Sequence, residues 1–436
     1  MADFLSRRDF LGVLSAGSVA PSLAAGEAFS SDRVPVISRE LWQWMRSQLV
    51  LEPGLVWLDT ARFGPTLRAV LAREFRSSER QSLDFPRYQA ATFGAESIRA
   101  PLEAIGEFIG ADPADLVLTG GAAEGLGIVA QGLDLQPGDE VLTTTHDHPA
   151  AVYPWLVQAK RRGVKVVQLP QTGIAVAPEA ITGQFAAAIT PKTRVIACSH
   201  VRYTDGTVMP VQEICALARG NGIFSLVDGA LAAGLLELNL RALGCDAYAT
   251  CFHKWLNGPF SSGALFLRSE AQPRVWPMAA DGPTGWDVTD RFGNAAPVAT
   301  VGTVPAAQAR LGQFARYRGP AFDALPLAFE FQRAVNRTRI AAHVRELAAY
   351  LRLQVARLPQ VEVLTPSHPS LWAGIVALRV KGSDHGELAD AMAREDGIVV
   401  GRVQHGAVFD ALRVSLHASN ETGDIDRLLL AMQRRL

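Results

Sequence analysis

Seven short apolar runs, spaced by stretches with helical periodicity, limit what this chain can fold into more than any other feature. The runs are 116–119, 140–145, 165–169, 194–199, 224–228, 247–252 and 263–267. Helical stretches at 124–132, 153–162 and 211–221 stand between members of the first five runs. Strands that alternate with helices in this way predict an α/β fold built on a mostly parallel sheet covered on both faces. Such a sheet needs a large apolar core. With 48% of its residues hydrophobic and 19% charged, the chain can supply one.

The flanking segments extend this reading. Residues 39–49 read as an amphipathic helix with Leu41, Trp42, Met45 and Leu49 on one face, and 69–105 reads as helix broken at Pro86. Residues 281–299 are rich in Gly, Pro and Asp, and a helical stretch at 306–358 follows. Strand-like runs at 361–364, 375–380, 398–403 and 412–417 then alternate with helices near 387–395 and 424–435. The expected division is a leader at 1–28, an N-terminal segment at 29–68, a large domain at 69–305, and a helix plus small C-terminal α/β domain at 306–436.

The leader begins with Ser6-Arg7-Arg8-Asp9-Phe10-Leu11, a twin-arginine pattern, followed by small and apolar residues to Ala25. That run is too short to span a bilayer stably. The expectation is export of the folded chain by the twin-arginine machinery to the periplasm or the medium. The alternative is a cytoplasmic protein with a chance arginine pair. A net charge of −1 offers no polyanion-binding face, so a nucleic-acid partner is not expected.

The chemistry concentrates at two strand ends. Leu226-Val227-Asp228-Gly229-Ala230 ends an apolar run on a carboxylate, and Phe252-His253-Lys254-Trp255 follows 26 residues after that Asp. Open α/β sheets bind ligands beyond the carboxyl ends of their strands. A partly desolvated lysine there is a nucleophile. A carboxylate opposite a pyridine nitrogen keeps that ring protonated. The pair points to pyridoxal phosphate, its aldehyde bonded to Lys254 and its ring nitrogen held by Asp228. Only five lysines occur in the chain, which narrows the choice. The bland alternative is an Asp that caps a turn and a Lys at a strand end.

With these motifs the chain resembles the class-V aminotransferases, fold-type I pyridoxal-phosphate enzymes that include cysteine desulfurases and isopenicillin N epimerase. The resemblance runs from about Leu55 to the C-terminus. It implies a seven-stranded large domain, a smaller C-terminal domain and a homodimer with shared active sites. By the same resemblance, His148 in Asp147-His148-Pro149-Ala150 stacks on the cofactor ring, with His146 a competitor. Gly121, Ala122 and Ala123 open a helix whose N–H groups bind the phosphate. His253 also reaches that phosphate, and Thr303 reaches the phosphate of the other subunit. Arg413 clamps the substrate carboxylate, and Arg202 and Tyr203 line the substrate pocket.

The chain departs from the family pattern in places. Ala122 and Ala123 replace hydroxyl residues, Cys251 stands where relatives have serine, and Leu231 stands where many have His or Gln. The loop at 401–407 carries no cysteine, which disfavours persulfide chemistry. The implied activity is epimerisation, racemisation or transamination of a small-molecule amino acid, with Lys254 moving the α-proton. Elimination at a C–S or other β bond and cofactor binding without turnover remain open. No HExxH pair suggests a metal site, and no Gly-x-Ser-x-Gly elbow suggests a hydrolase.

Overall fold

The computed structural model describes residues 34–35, 38–93, 95–170, 177–278, 306–312, 318–406 and 409–436. The twin-arginine segment, the stretch at 281–299 and Thr303 lie outside the described residues.

The seven apolar runs form one sheet. Its strands are β2 (Leu116–Thr119), β3 (Glu140–Thr144), β4 (Lys165–Leu169), β5 (Thr193–Ser199), β6 (Phe224–Asp228), β7 (Ala247–Cys251) and β8 (Gly263–Leu267), in the order β2-β8-β7-β6-β5-β3-β4. Every neighbouring pair is parallel except those made by β8, which runs antiparallel to both β2 and β7. The observed bounds differ from the expected ones by a residue at most.

The two-residue period of the strands divides the core. Leu142, Ile196, Val227, Tyr248 and Phe266 face one apolar cluster. Val141, Val195, Leu226, Ala249 and Leu265 face the other. Helices on both faces cover this apolar surface, among them Ala122–Gly132, Pro149–Arg162 and Val211–Gly220.

A second sheet, in the order β1-β11-β12-β10-β9, contains β1 (Val56–Leu58), β9 (Val361–Val363), β10 (Ile375–Val380), β11 (Ile398–His405) and β12 (Phe409–Ser415). It is antiparallel except for β1, which pairs in parallel with β11. The three-residue run of β1 is too short to register as a strand from periodicity. It adds a piece of the N-terminal segment to the C-terminal sheet. Within the helical stretch expected at 306–358, the described residues form Ala306–Leu311, Gly319–Val335 and Arg337–Val355, with Asn336 at a φ of 80° between the last two.

The two sheets are tied together beside Lys254. Trp255 Nε1 donates to the Leu416 carbonyl at 2.8 Å, and Gln332 Nε2 donates to the Trp255 carbonyl at 3.3 Å. Both side chains are buried.

Candidate active site

A cavity of about 490 Å³ lies at the carboxyl ends of the large sheet's strands and is closed on one side by β11 and β12. Each parallel strand delivers its side chains there because its carboxyl end points that way.

Asp228, the last residue of β6, is buried, and its Oδ1 accepts from the Ala230 N–H at 3.0 Å. Burial pushes its carboxyl up to about 6, against the pull of that hydrogen bond and of Lys254. The backbone around it is braced, since the His200 N–H donates to the Asp228 carbonyl at 2.8 Å.

Lys254 follows β7 on a turn held from three directions. The Gly64 N–H donates to the His253 carbonyl at 2.9 Å, the Asn257 N–H donates to the Lys254 carbonyl at 3.1 Å, and Trp255 is anchored as above. Among the described residues the Lys254 amine has no hydrogen-bond partner, which leaves it available in the cavity. Gly64 is required by proximity alone, because a Cβ there would meet the Lys254 carbonyl oxygen at 1.9 Å.

At the opposite wall, helix Ala122–Gly132 begins after Gly121, whose φ of 148° is reached readily only by glycine. The Gly120 N–H is already taken by Glu124 at 2.8 Å, and Glu124 pairs with Arg318 at 2.6 Å. The N–H groups of the first turn, starting at Ala122 and Ala123, have no partner within the helix, and both residues line the cavity. His253 lines the same wall, and its buried Nδ1 has no partner. Burial and the Lys254 charge push its ring down to about 4, so it is neutral at pH 7.

His148 caps helix Pro149–Arg162, with Nδ1 accepting from the Ala150 N–H at 3.1 Å. Burial, Lys254, Arg413 and His405 push it down to about 4. The neutral ring therefore carries its proton on Nε2. Its edge meets Tyr203 with ring centroids 4.9 Å apart. His146 points elsewhere, bonded to Thr204 Oγ1 at 2.7 Å, and does not line the cavity.

Arg413 enters from β12. Its Nη2 donates to Asp59 Oδ1 at 3.0 Å, its Nη1 donates to the Tyr203 carbonyl at 2.9 Å, and its Nε has no partner. Both members of this ion pair are buried, and burial raises the Asp59 carboxyl despite Arg413. Tyr203 lines the cavity, and its hydroxyl shares a 2.7 Å hydrogen bond with His405 Nδ1.

One placement corrects the sequence reading. Arg202 does not line the cavity. Val201 and Tyr203 do, and the intervening side chain turns the other way, 2% exposed and 3.5 Å from Asp205. A buried guanidinium needs a carboxylate, and the loop supplies its own. Leu231 and Cys251 line the cavity as expected from their positions, with Cys251 Sγ donating to the Ala230 carbonyl. Sequence reasoning missed Arg62, Arg402 and Gln404 as lining residues and Asp59 as the partner of Arg413.

The sequence profile of the aminotransferase class-V family matches residues 84–428. The chain belongs to that family. Isopenicillin N epimerase of Streptomyces clavuligerus is 30% identical over 404 residues, covering 90% of this chain and 97% of that protein. A probable cysteine desulfurase of Pseudomonas aeruginosa is 31% identical over 341 residues, covering 74% and 79%. Among solved structures, the cysteine desulfurase CsdA of Escherichia coli superposes with a TM-score of 0.75 at 24% identity, covering 94% of this chain and 98% of that one. The class-V aminotransferases are fold-type I enzymes that use pyridoxal phosphate, and this chain is one of them.

The residues present fit that cofactor. The orphaned His253 nitrogen and the open first turn at Ala122 suit its phosphate. The buried Asp228 carboxyl, with one hydrogen bond, suits the ring nitrogen, and the unpartnered Lys254 amine suits the aldehyde.

Proposed function

We propose that the chain moves a proton at the α-carbon of an amino acid, with epimerisation or racemisation as the net reaction. When bound, the cofactor supplies an electron sink for the carbanion that loss of that proton leaves. Asp228, ionised against the ring nitrogen, keeps that nitrogen protonated. Arg413, oriented by Asp59 and the Tyr203 carbonyl, binds the α-carboxylate with its remaining N–H groups. Lys254 is the base that takes or returns the proton at one face of the α-carbon, and inversion requires the other transfer to occur at the opposite face. His148, neutral and fixed by Ala150, covers the ring without adding charge.

The observation that carries this reading is that Asp228 from the end of β6, Lys254 from the turn after β7 and Arg413 from within β12 line one cavity. The relatives with the name isopenicillin N epimerase support it. Persulfide transfer is disfavoured because all four cysteines are buried and none stands on the loop before Arg413. Cleavage of a C–S or other β bond is the second reading, and the relative named as a probable cysteine desulfurase supports the C–S part of it.

The experiment is an incubation of the holoenzyme with L- and D-amino acids in D2O, followed by NMR and chiral chromatography. Deuterium at Cα with loss of optical purity supports the proposal. A keto acid in stoichiometric yield replaces it with transamination, and pyruvate with sulfide replaces it with elimination. A cofactor band that no amino acid alters assigns the chain to binding without turnover.

Two further parts of the reading concern assembly and address. A homodimer would cover Phe260, which is exposed although it packs against Phe63 and His253 at the cavity wall, and would bring Thr303 to the neighbouring subunit's phosphate. Light scattering of the purified protein tests the dimer. The Arg7-Arg8 pair supports twin-arginine export, and among the described residues no helix is long and apolar enough to cross a membrane. Replacing both arginines with lysine should keep the chain in the cytoplasmic fraction.

A further inference from the structure

The cavity holds two more cations than the chemistry above uses. Four cationic side chains line it: Arg62, Lys254, Arg402 and Arg413. Lys254 serves the aldehyde. Arg413 is matched by Asp59 and serves the α-carboxylate. Arg402 lies 3.4 Å from Asp410, and its charge is also felt by Asp384. Of the three guanidinium groups, that of Arg62 alone has no hydrogen bond or ion pair among the described residues.

Its backbone is not loose. The N–H groups of Arg62 and Phe63 both donate to the Asp59 carbonyl, at 3.0 and 3.2 Å, and Gly64 is bonded to the His253 carbonyl. Trp57 Nε1 donates to the Phe63 carbonyl at 2.9 Å. The turn therefore holds an exposed, unmatched arginine beside the cavity on a fixed base. Gln404 shares one face of β11 with Arg402 by the two-residue strand period and also lines the cavity. Its carboxamide has no hydrogen-bond partner among the described residues.

The cofactor phosphate is the obvious rival occupant. The turn that carries Arg62 begins at Asp59, whose carboxylate is bonded to Arg413, and ends at Gly64, which is bonded to the His253 carbonyl. The Arg62 N–H donates to the Asp59 carbonyl, which ties it to the Arg413 end of that turn.

We propose that Arg62, assisted by Gln404, binds an anionic group at the far end of the substrate side chain, so that the substrate is an amino acid bearing a second carboxylate. The inference rests on the reading that an amino acid binds here through Arg413. A guanidinium engages a carboxylate with two parallel N–H bonds, and a charge-assisted bond of this kind changes affinity about tenfold or more.

The test is a titration of the pyridoxal-phosphate holoenzyme, followed through the visible cofactor band. The probes are L- and D-aspartate, glutamate and 2-aminoadipate against alanine, norvaline and methionine. The dicarboxylic amino acids should bind about tenfold or more tightly, with a preference that shrinks as salt is raised. Arg62→Gln should remove the preference, Arg62→Lys should retain part of it, and cofactor affinity should stay the same in both. Equal binding of both sets overturns the proposal. A fall in cofactor affinity for Arg62→Gln overturns it in favour of the phosphate. If no amino acid of either kind shifts an intact band, the amino-acid reading fails together with this one.

Discussion

Replacing Gly64 with alanine tests the packing that holds Lys254 in place. The added Cβ would sit 1.9 Å from the Lys254 carbonyl oxygen and 2.7 Å from its carbon. Both are main-chain atoms, and no side chain can rotate away to relieve the contact. Ordinary contact requires the two segments to part by ~1 Å or more. That shift stretches or breaks the 2.9 Å bond from Gly64 N–H to the His253 carbonyl. Overpacking of this kind costs about 1–3 kcal/mol. A domain of this size loses roughly 2–4 °C of Tm per kcal/mol.

The larger effect should be on chemistry, because Lys254 leaves the same peptide. A displacement of about 1 Å at a reacting group lowers turnover on the order of 100-fold. The assay pairs thermal unfolding of the purified variant with cofactor occupancy and with α-proton exchange. The expected variant is folded, with a modest drop in Tm and a kcat that falls far more than stability does. Full cofactor occupancy with wild-type exchange would refute the claim that this turn positions Lys254.

Four further outcomes follow from the site. Borohydride should fix the cofactor covalently to the wild-type chain and not to Lys254→Ala, as read by mass spectrometry of the intact protein. In the cofactor-free protein, the raised Asp228 carboxyl binds its proton more tightly when folded than when unfolded. Stability should therefore fall as pH rises from about 4 through about 6, by on the order of 3 kcal/mol, and the slope should flatten in Asp228→Asn when Tm is followed against pH. Asp59→Ala leaves the buried Arg413 without its carboxylate. Chemical unfolding should show a loss of about 3–5 kcal/mol, and KM for the amino acid should rise. The proposed phosphate contact of His253 predicts that His253→Ala raises the Kd for pyridoxal phosphate in a fluorescence titration while leaving the 2.9 Å backbone bond from Gly64 in place.

The sequence by itself determined the large sheet, because the two-residue apolar period and the spacing between strands are local properties of the chain. It also singled out Asp228 and Lys254, since each ends or follows an apolar strand and strand ends converge in a parallel sheet. What it left open is set by contacts between distant segments. Arg413 and Asp59 are 354 residues apart, and Tyr203 and His405 are 202 apart. Neither pairing leaves a trace in local periodicity. His146 and His148 are two positions apart in one loop, and only the packing of Thr204 and Phe409 against the first leaves the second in the cavity. Arg202 is a plausible pocket residue until the loop is seen to turn it toward Asp205. The three residues of β1 are too few for a pattern, yet their pairing with β11 carries the turn at Asp59–Gly64 to the wall beside Lys254. Local sequence fixes which elements form, and burial decides which of their charged side chains are matched inside the protein and which remain for a ligand.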